Sequence, residues 1–252
     1  MNHERALLER VLASPDDESA RLAYATWCDS KGDPRGACIR LQLELSGIDR
    51  ADRERRGPLL RRQQTLISRH GATWAGAIAD VVDDYRFHRG LVEHVMMDAA
   101  TFLAQARDLY ALAPIRHVDL KDARPVFSQL AASALLAPLR SLSFARDGIG
   151  DDEVVMLAAS PNLPRLRYLD LSYNPKIGER GIEQLIRSPL RDQLQFVGRW
   201  GNPYHPTPAV ETDWDGSIYD VIDSPLAAQL EARFGVVPWL HADADDYPPS
   251  RY

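Results

Sequence analysis

The sequence predicts an α/β protein: a short solenoid with parallel strands on its concave face and helices on its convex face, behind an N-terminal α-helical cap. Three observations predict it. The stretch from Ile149 repeats from Ile177 at an offset of 28 residues, with Ile-Gly, Leu157/Leu185, Ser160-Pro161/Ser188-Pro189 and Leu166/Leu194 coinciding. Strand-like pieces such as "LRYLDLSYNP" alternate apolar residues for one short run and then stop at asparagine. The first seventy residues carry a helical apolar period instead and show no such repeat. With 45% hydrophobic residues in 252, the chain has enough apolar surface for a core in one or two domains.

The elements follow in order. Residues 4–13 place Leu7, Leu8, Val11 and Leu12 on one helical face. A second helix opens at Pro15 with acidic residues in its first turn, where the helix dipole favours them, and closes at Gly32. Asp33 as N-cap and Pro34 at the first helical position open a third helix to about Leu45. The segment 49–70 is expected as a fourth, interrupted near Gly57-Pro58. Strand starts then recur at 92, 115, 139, 166 and 194.

A single such unit cannot bury its own apolar face, but stacked neighbours bury each other's. At 27–28 residues the return segment is long enough for a helix, and 152–160 offers Val154, Val155, Leu157 and Ala158 for its inner side. Asp147, Asn174 and Asn202 hold the strand-end position. A short amide or carboxylate there can bond backbone groups that would otherwise be buried unpaired. The organisation is therefore 1–70 helical module, 71–202 repeat arc of about five strands, and 203–252 acidic loop with a capping helix at 224–235.

The L-x-x-L-x-φ pattern resembles a leucine-rich repeat of the ribonuclease-inhibitor-like kind. The N-terminal stretch resembles the repeat-companion domain of bacterial leucine-rich-repeat proteins, through Pro15, Asp16, Asp17, Arg21, Leu22, Tyr24, Ala25, Trp27, Gly32–Gly36, Ile39, Arg40 and Gln42. The segment 87–120 is similar to the same family. The resemblance implies an architecture and no activity. Thr26 and Ala37-Cys38 stand where the family often has acidic and acidic-aromatic residues.

Period-two geometry names the residues that face outward from the strands. They include His94, Met96 and Asp98; His117, Asp119 and Lys121; Ser141, Ser143 and Ala145; Tyr168, Asp170 and Ser172; and Phe196, Gly198 and Trp200. Aromatic anchors among polar groups are what protein-binding surfaces use. Of these, His94, His117, Asp119, Lys121, Tyr168, Asp170, Ser172, Phe196 and Trp200, with Trp214 from the acidic loop, form the expected partner-binding set. His94 and His117 take equivalent positions on neighbouring strands, and with Asp119 or Asp98 could hold a metal or run acid–base chemistry, though no third ligand or nucleophile is evident. "DWDG" from Asp213 lacks the remaining ligands of a calcium loop.

The net charge is −6, with 13 Lys/Arg against 11 Asp/Glu over 1–70 and 2 against 9 over 203–252. The six arginines of 50–62 are interleaved with Asp52 and Glu54, which suits a solvated helix better than nucleic acid. The N-terminus has no signal-peptide apolar core and no apolar run is long enough for a bilayer. Cys28 and Cys38 make no disulfide framework and no CxxC, so a reduced cytoplasmic setting is expected. The expectation is a non-enzymatic scaffold or regulator that binds another protein, without cofactor, nucleic acid or membrane. An inhibitor or immunity-type protein is the alternative, and a metal-dependent enzyme centred on His94/His117 is the alternative of another class.

Overall fold

The computed structural model describes residues 3–49, 51–202, 209–212, 218–222 and 225–240. The chain is α/β, and strands β1 to β6 form one mostly parallel sheet in sequence order. It divides into two compact units, the first holding residues 1–97 and 104–117 and the second 98–103 and 118–251.

In the first unit, helices α1 (His3–Ala13), α2 (Glu18–Ser30), α3 (Arg35–Ser46) and α4 (Arg53–Ala75) precede the hairpin of β1 (Asp84–His88) and β2 (Leu91–Asp98). Asp17 caps α2 by accepting the Ser19 N–H at 2.8 Å. Gly32 takes φ +70° just past its end. Asp33 accepts from the Arg35 amide at 2.8 Å, so α3 begins one residue later than expected. The break expected at Gly57-Pro58 does not occur, because α4 runs 23 residues through Pro58. That proline sits only six residues in, where the single lost backbone bond leaves the rest of the helix intact.

The family-like motif has a packing reason. Gly90, at φ +80°, lies so close to Ile39 that no Cβ fits there. Its N–H donates to Gln42 Oε1 at 2.6 Å, while Gln42 Nε2 donates to the Phe87 carbonyl at 3.1 Å. The hairpin turn is thereby fastened to α3. Tyr24, Ala25, Cys28, Ile39 and Leu91 form the buried core of the unit with Leu7 and Val11.

Helix α5 (Ala99–Leu112) leads to β3 (His117–Lys121), and the unit boundaries cut through both elements. The second unit continues with α6 (Phe127–Ala131), β4 (Ser141–Ser143), α7 (Asp151–Ala158), β5 (Tyr168–Asp170), α8 (Glu179–Arg187), α9 (Leu190–Gln193) and β6 (Phe196–Gly198). The strands β7 (Ala209–Thr212) and β8 (Ile218–Ile222) pair antiparallel, and α10 (Pro225–Phe234) follows. Strands β4, β5 and β6 pair in parallel, with Ser141 opposite Tyr168 and Tyr168 opposite Phe196. Those registers are the 27- and 28-residue offsets of the sequence.

The apolar partners lie inward: Leu142, Phe144, Leu169, Leu171 and Val197 are all buried. The strand-end position acts as a ladder. Asn202 Oδ1 accepts from the Asn174 N–H at 2.6 Å, Asn174 Oδ1 from the Gly148 N–H at 2.8 Å, and Asp147 Oδ2 from the Ala123 N–H at 3.0 Å. Asn174 Nδ2 donates to the carbonyls of Phe144, Leu171 and Ser172 at 2.8–3.3 Å. Each short strand can therefore stop in the interior without orphaned backbone groups. The turn before the ladder residue repeats as well, since Asp122, Arg146, Tyr173 and Gly201 all take φ between +51° and +69°. Burial raises the Asp147 carboxyl from its ordinary value, and the backbone amides of Ala123 and Asp122 offset part of that rise.

Candidate functional site

Two places gather chemistry, one in each unit. In the first, β2 is buried along nearly its whole length, so Glu93 and His94 are both inaccessible although they point to opposite faces. A strand covered on both sides has no outward period, which is why His94 and His117 lie in the interior and not on a solvated face. The structure does bring those two histidines together, with ring centres 6.2 Å apart. It adds His88, 5.4 Å from His117.

Glu93 is the hub of this place. Arg21 Nη2 donates to its Oε1 at 2.6 Å, Arg116 Nη2 and Nε to its Oε2 at 2.8 and 3.1 Å, and Arg89 Nη2 to both oxygens at 3.3 and 3.1 Å. Asp16, at the outer edge, accepts from Arg116 at 2.8 Å. Arg21, fully buried, also donates to the carbonyls of Pro15 and Arg89, closing the α1–α2 loop onto the hairpin. Burial raises the Glu93 carboxyl above its ordinary value, and the Arg21 and Arg89 guanidinium groups offset part of that rise. With bonds from all three, the carboxylate is the form held at neutral pH.

One ligand atom each from His88, Glu93 and His117 lies within 4.8 Å of the others, which gives the histidine pair a candidate third ligand. The charge around them works against a divalent cation. Three guanidinium groups surround the Glu93 carboxylate, and each would repel an incoming metal at short range. His88 is held well below the ordinary histidine range by burial first, then by the neighbouring His117, His94, Arg89 and Arg21. The sequence does contain Glu93, Arg89 and Arg116, but nothing in their spacing marks residues so far apart as one cluster.

In the second unit, the expected partner-binding residues divide. Lys121 and Trp200 are exposed; Asp119, Tyr168 and Asp170 are half-buried; Ser172 and Phe196 are buried. Ser172 Oγ accepts from the Trp200 N–H at 3.2 Å, which joins the ends of β5 and β6, and Asp170 Oδ1 accepts from the Ser172 N–H at 2.9 Å within the end of β5. Burial raises the Asp170 carboxyl, with Asp119 adding repulsion. The Tyr168 hydroxyl donates to Gln195 at 2.6 Å. Trp214 lies outside the described residues.

Two residues that the strand period missed join the exposed set. Tyr173 is 49% exposed beside Trp200 at 43%, and the Arg146 guanidinium stacks 4.3 Å from the Tyr173 ring centre. Arg146 and Tyr173 hold the same turn position on successive rungs, and Trp200 lies one residue before the third occupant of that position, Gly201. For Arg146 and Tyr173 the signal was available in the residue preceding the ladder Asp147 and Asn174.

Comparison with known proteins adds little. No family model matches the chain. A Streptomyces fradiae protein described as an uncharacterized 32.3 kDa protein in the vdh 3' region is 42% identical over 50 residues. That match takes in 20% of this chain and 18% of the relative, so under a fifth of the relative's length is spanned. No solved structure matches. No helix among the described residues is long and apolar enough to cross a membrane.

Proposed function

We propose that the chain is a leucine-rich-repeat solenoid with a helical repeat-companion cap, and that it binds another protein as a scaffold, regulator or inhibitor. The solenoid reading draws its support from the 27- and 28-residue strand registers and from the side-chain ladder that follows the same interval. The observation that carries the binding reading is the exposed strip Arg146–Tyr173–Trp200, bordered by Tyr168 and Asp170. Exposed aromatic rings held on a rigid turn lose little freedom on docking, and Tyr, Trp and Arg dominate binding hot spots. Because their bodies are not part of the core, they can be removed without unfolding the unit.

The double variant Tyr173→Ser/Trp200→Ser tests this. Proteins retained by the immobilised wild-type chain are identified by mass spectrometry, and their affinities for both forms are then measured. A weakening of about 100-fold or more is expected, from two hot-spot side chains. Retention of the same partner at unchanged affinity refutes the strip as the binding surface. The rival reading, a metal-dependent reaction at His88, Glu93 and His117, has the geometry in its favour and the surrounding guanidinium charge against it. Stoichiometric zinc or nickel in the purified protein, lost in His117→Ala, would reverse that choice.

A further inference from the structure

The inward column of the second unit runs Leu120, Phe144, Leu171 and then Arg199, at the intervals of the strands themselves. The first three are apolar and buried, and the last rung breaks the pattern with a charge. Arg199 is only 4% exposed. Its Nε and Nη2 donate to the Val197 and Leu240 carbonyls, both at a long 3.3 Å, and its guanidinium centre lies 5.4 Å from the ring centre of fully buried Trp239. Among the described residues its buried Nη1 has no hydrogen-bond partner, and neither has the indole Nε1 of Trp239. Burial lowers the guanidinium to about 10, with no carboxylate among the described residues acting against it, so it stays charged at neutral pH.

Two orphaned donors on adjacent groups, one of them a buried cation, ask for the same thing. Each unmade bond costs free energy, and an uncompensated buried charge costs more. A water molecule could accept both N–H bonds, yet it would leave the charge unbalanced. An anion does both. We propose that Arg199 and Trp239 form a receptor for a small monovalent anion, a halide or a short carboxylate, at the end of the sheet. An acceptor oxygen or halide would take Nη1–H and Nε1–H together, in a site where low dielectric strengthens the attraction. The two carbonyls already bonded to Arg199 fix the guanidinium plane, so the site is pre-organised. This inference is independent of the protein-binding reading.

Thermal unfolding of the full chain tests it, at constant ionic strength, with chloride or acetate replacing the bulky anion of MES. Wild type is expected to rise by roughly 5 °C between 1 and 100 mM of a site-filling anion. Arg199→Met should show no rise, and in MES alone should match or exceed wild type, because it removes a buried unpaired charge. Trp239→Phe keeps the aromatic cover and one donor, so its response should persist with the midpoint concentration raised about tenfold. It also serves as the test should Arg199→Met fail to fold. Chloride-35 line broadening, abolished in Arg199→Met, gives a readout independent of stability. A response to chloride but not acetate identifies a halide pocket; a response to both identifies a carboxylate-sized one. Overturning results are an equal rise in wild type and Arg199→Met, no rise in wild type, or a Trp239→Phe midpoint equal to that of wild type.

Discussion

Glu93 and Arg199 are both charges set where the strand period places apolar side chains, and their surroundings are opposite. Glu93, in the first unit, accepts from three guanidinium groups. Arg199, in the second, has two neutral carbonyls and a buried N–H with no partner among the described residues. The first arrangement is complete: each strong bond ties a different piece of chain, the α1–α2 loop through Arg21, the hairpin turn through Arg89 and the strand approach through Arg116. The second has no counter-charge among the described residues, and the proposed anion would supply one. A buried charge thus means different things according to whether its counter-charge is already in the chain.

The sharpest way to break this contrast is Glu93→Gln. Removing the central negative group leaves Arg21 without its carboxylate and Arg116 and Arg89 with only Asp16 at the outer edge, and loss of a buried pair's partner typically costs 3–5 kcal/mol. Urea unfolding should show a decrease of about 4 kcal/mol, while Arg199→Met in MES buffer should show none. Converting Arg21, Glu93 and Arg116 together to Met, Leu and Met should recover much of the loss. A Glu93→Gln protein within about 1 kcal/mol of wild type would mean that the cluster is solvated and no clasp at all.

A smaller effect is expected from the neutral counterpart in the second unit. Asn174 is fully buried and bonds Phe144, Leu171, Ser172 and Gly148 through one amide. Asn174→Ala orphans those backbone groups at a cost of about 3 kcal/mol. Leu142→Val, in the same layer, should cost about 1 kcal/mol. If the two substitutions cost the same, the ladder contributes no more than packing does.

These two features differ in how far the sequence revealed them. The ladder positions Asp147, Asn174 and Asn202 recur at the repeat interval, and so could be read before any coordinates, as could the return helix at 152–160 and the closing helix at 224–235. Glu93, Arg116 and Arg21 are distant in sequence and share no period, so only folding brings them together. His94 and His117 were legible as neighbours but not as buried, because alternation assumes one wet face and β2 has none. The exposed strip was legible only at Trp200; Arg146 and Tyr173 sit in the turns, where strand periodicity says nothing. The uninterrupted α4 shows the converse, a proline whose local signal was overridden by the helical residues that follow it through Ala75.

The gentlest test of the contrast is acid. His88 is held far below the usual histidine range, so the unfolded chain takes up a proton near pH 6.5 that the folded chain refuses. Its contribution is therefore complete above 6.5 and declines as pH falls from there toward the folded value, at up to about 1.4 kcal/mol per pH unit. The groups that enforce this are His117, His94, Arg89 and Arg21, all in the first unit. In the second unit burial raises Asp147 and Asp170, so their folded forms gain protons earlier than unfolded ones and stability there rises as pH falls. Hydrogen exchange followed from pH 7.5 to 5.5 should accordingly show β1 and β2 losing protection before β4, β5 and β6 do. His88→Phe keeps a buried ring and removes the titration, and should flatten the decline in the first unit alone. Equal loss in both units, or a decline untouched by His88→Phe, would place the acid-sensitive group elsewhere.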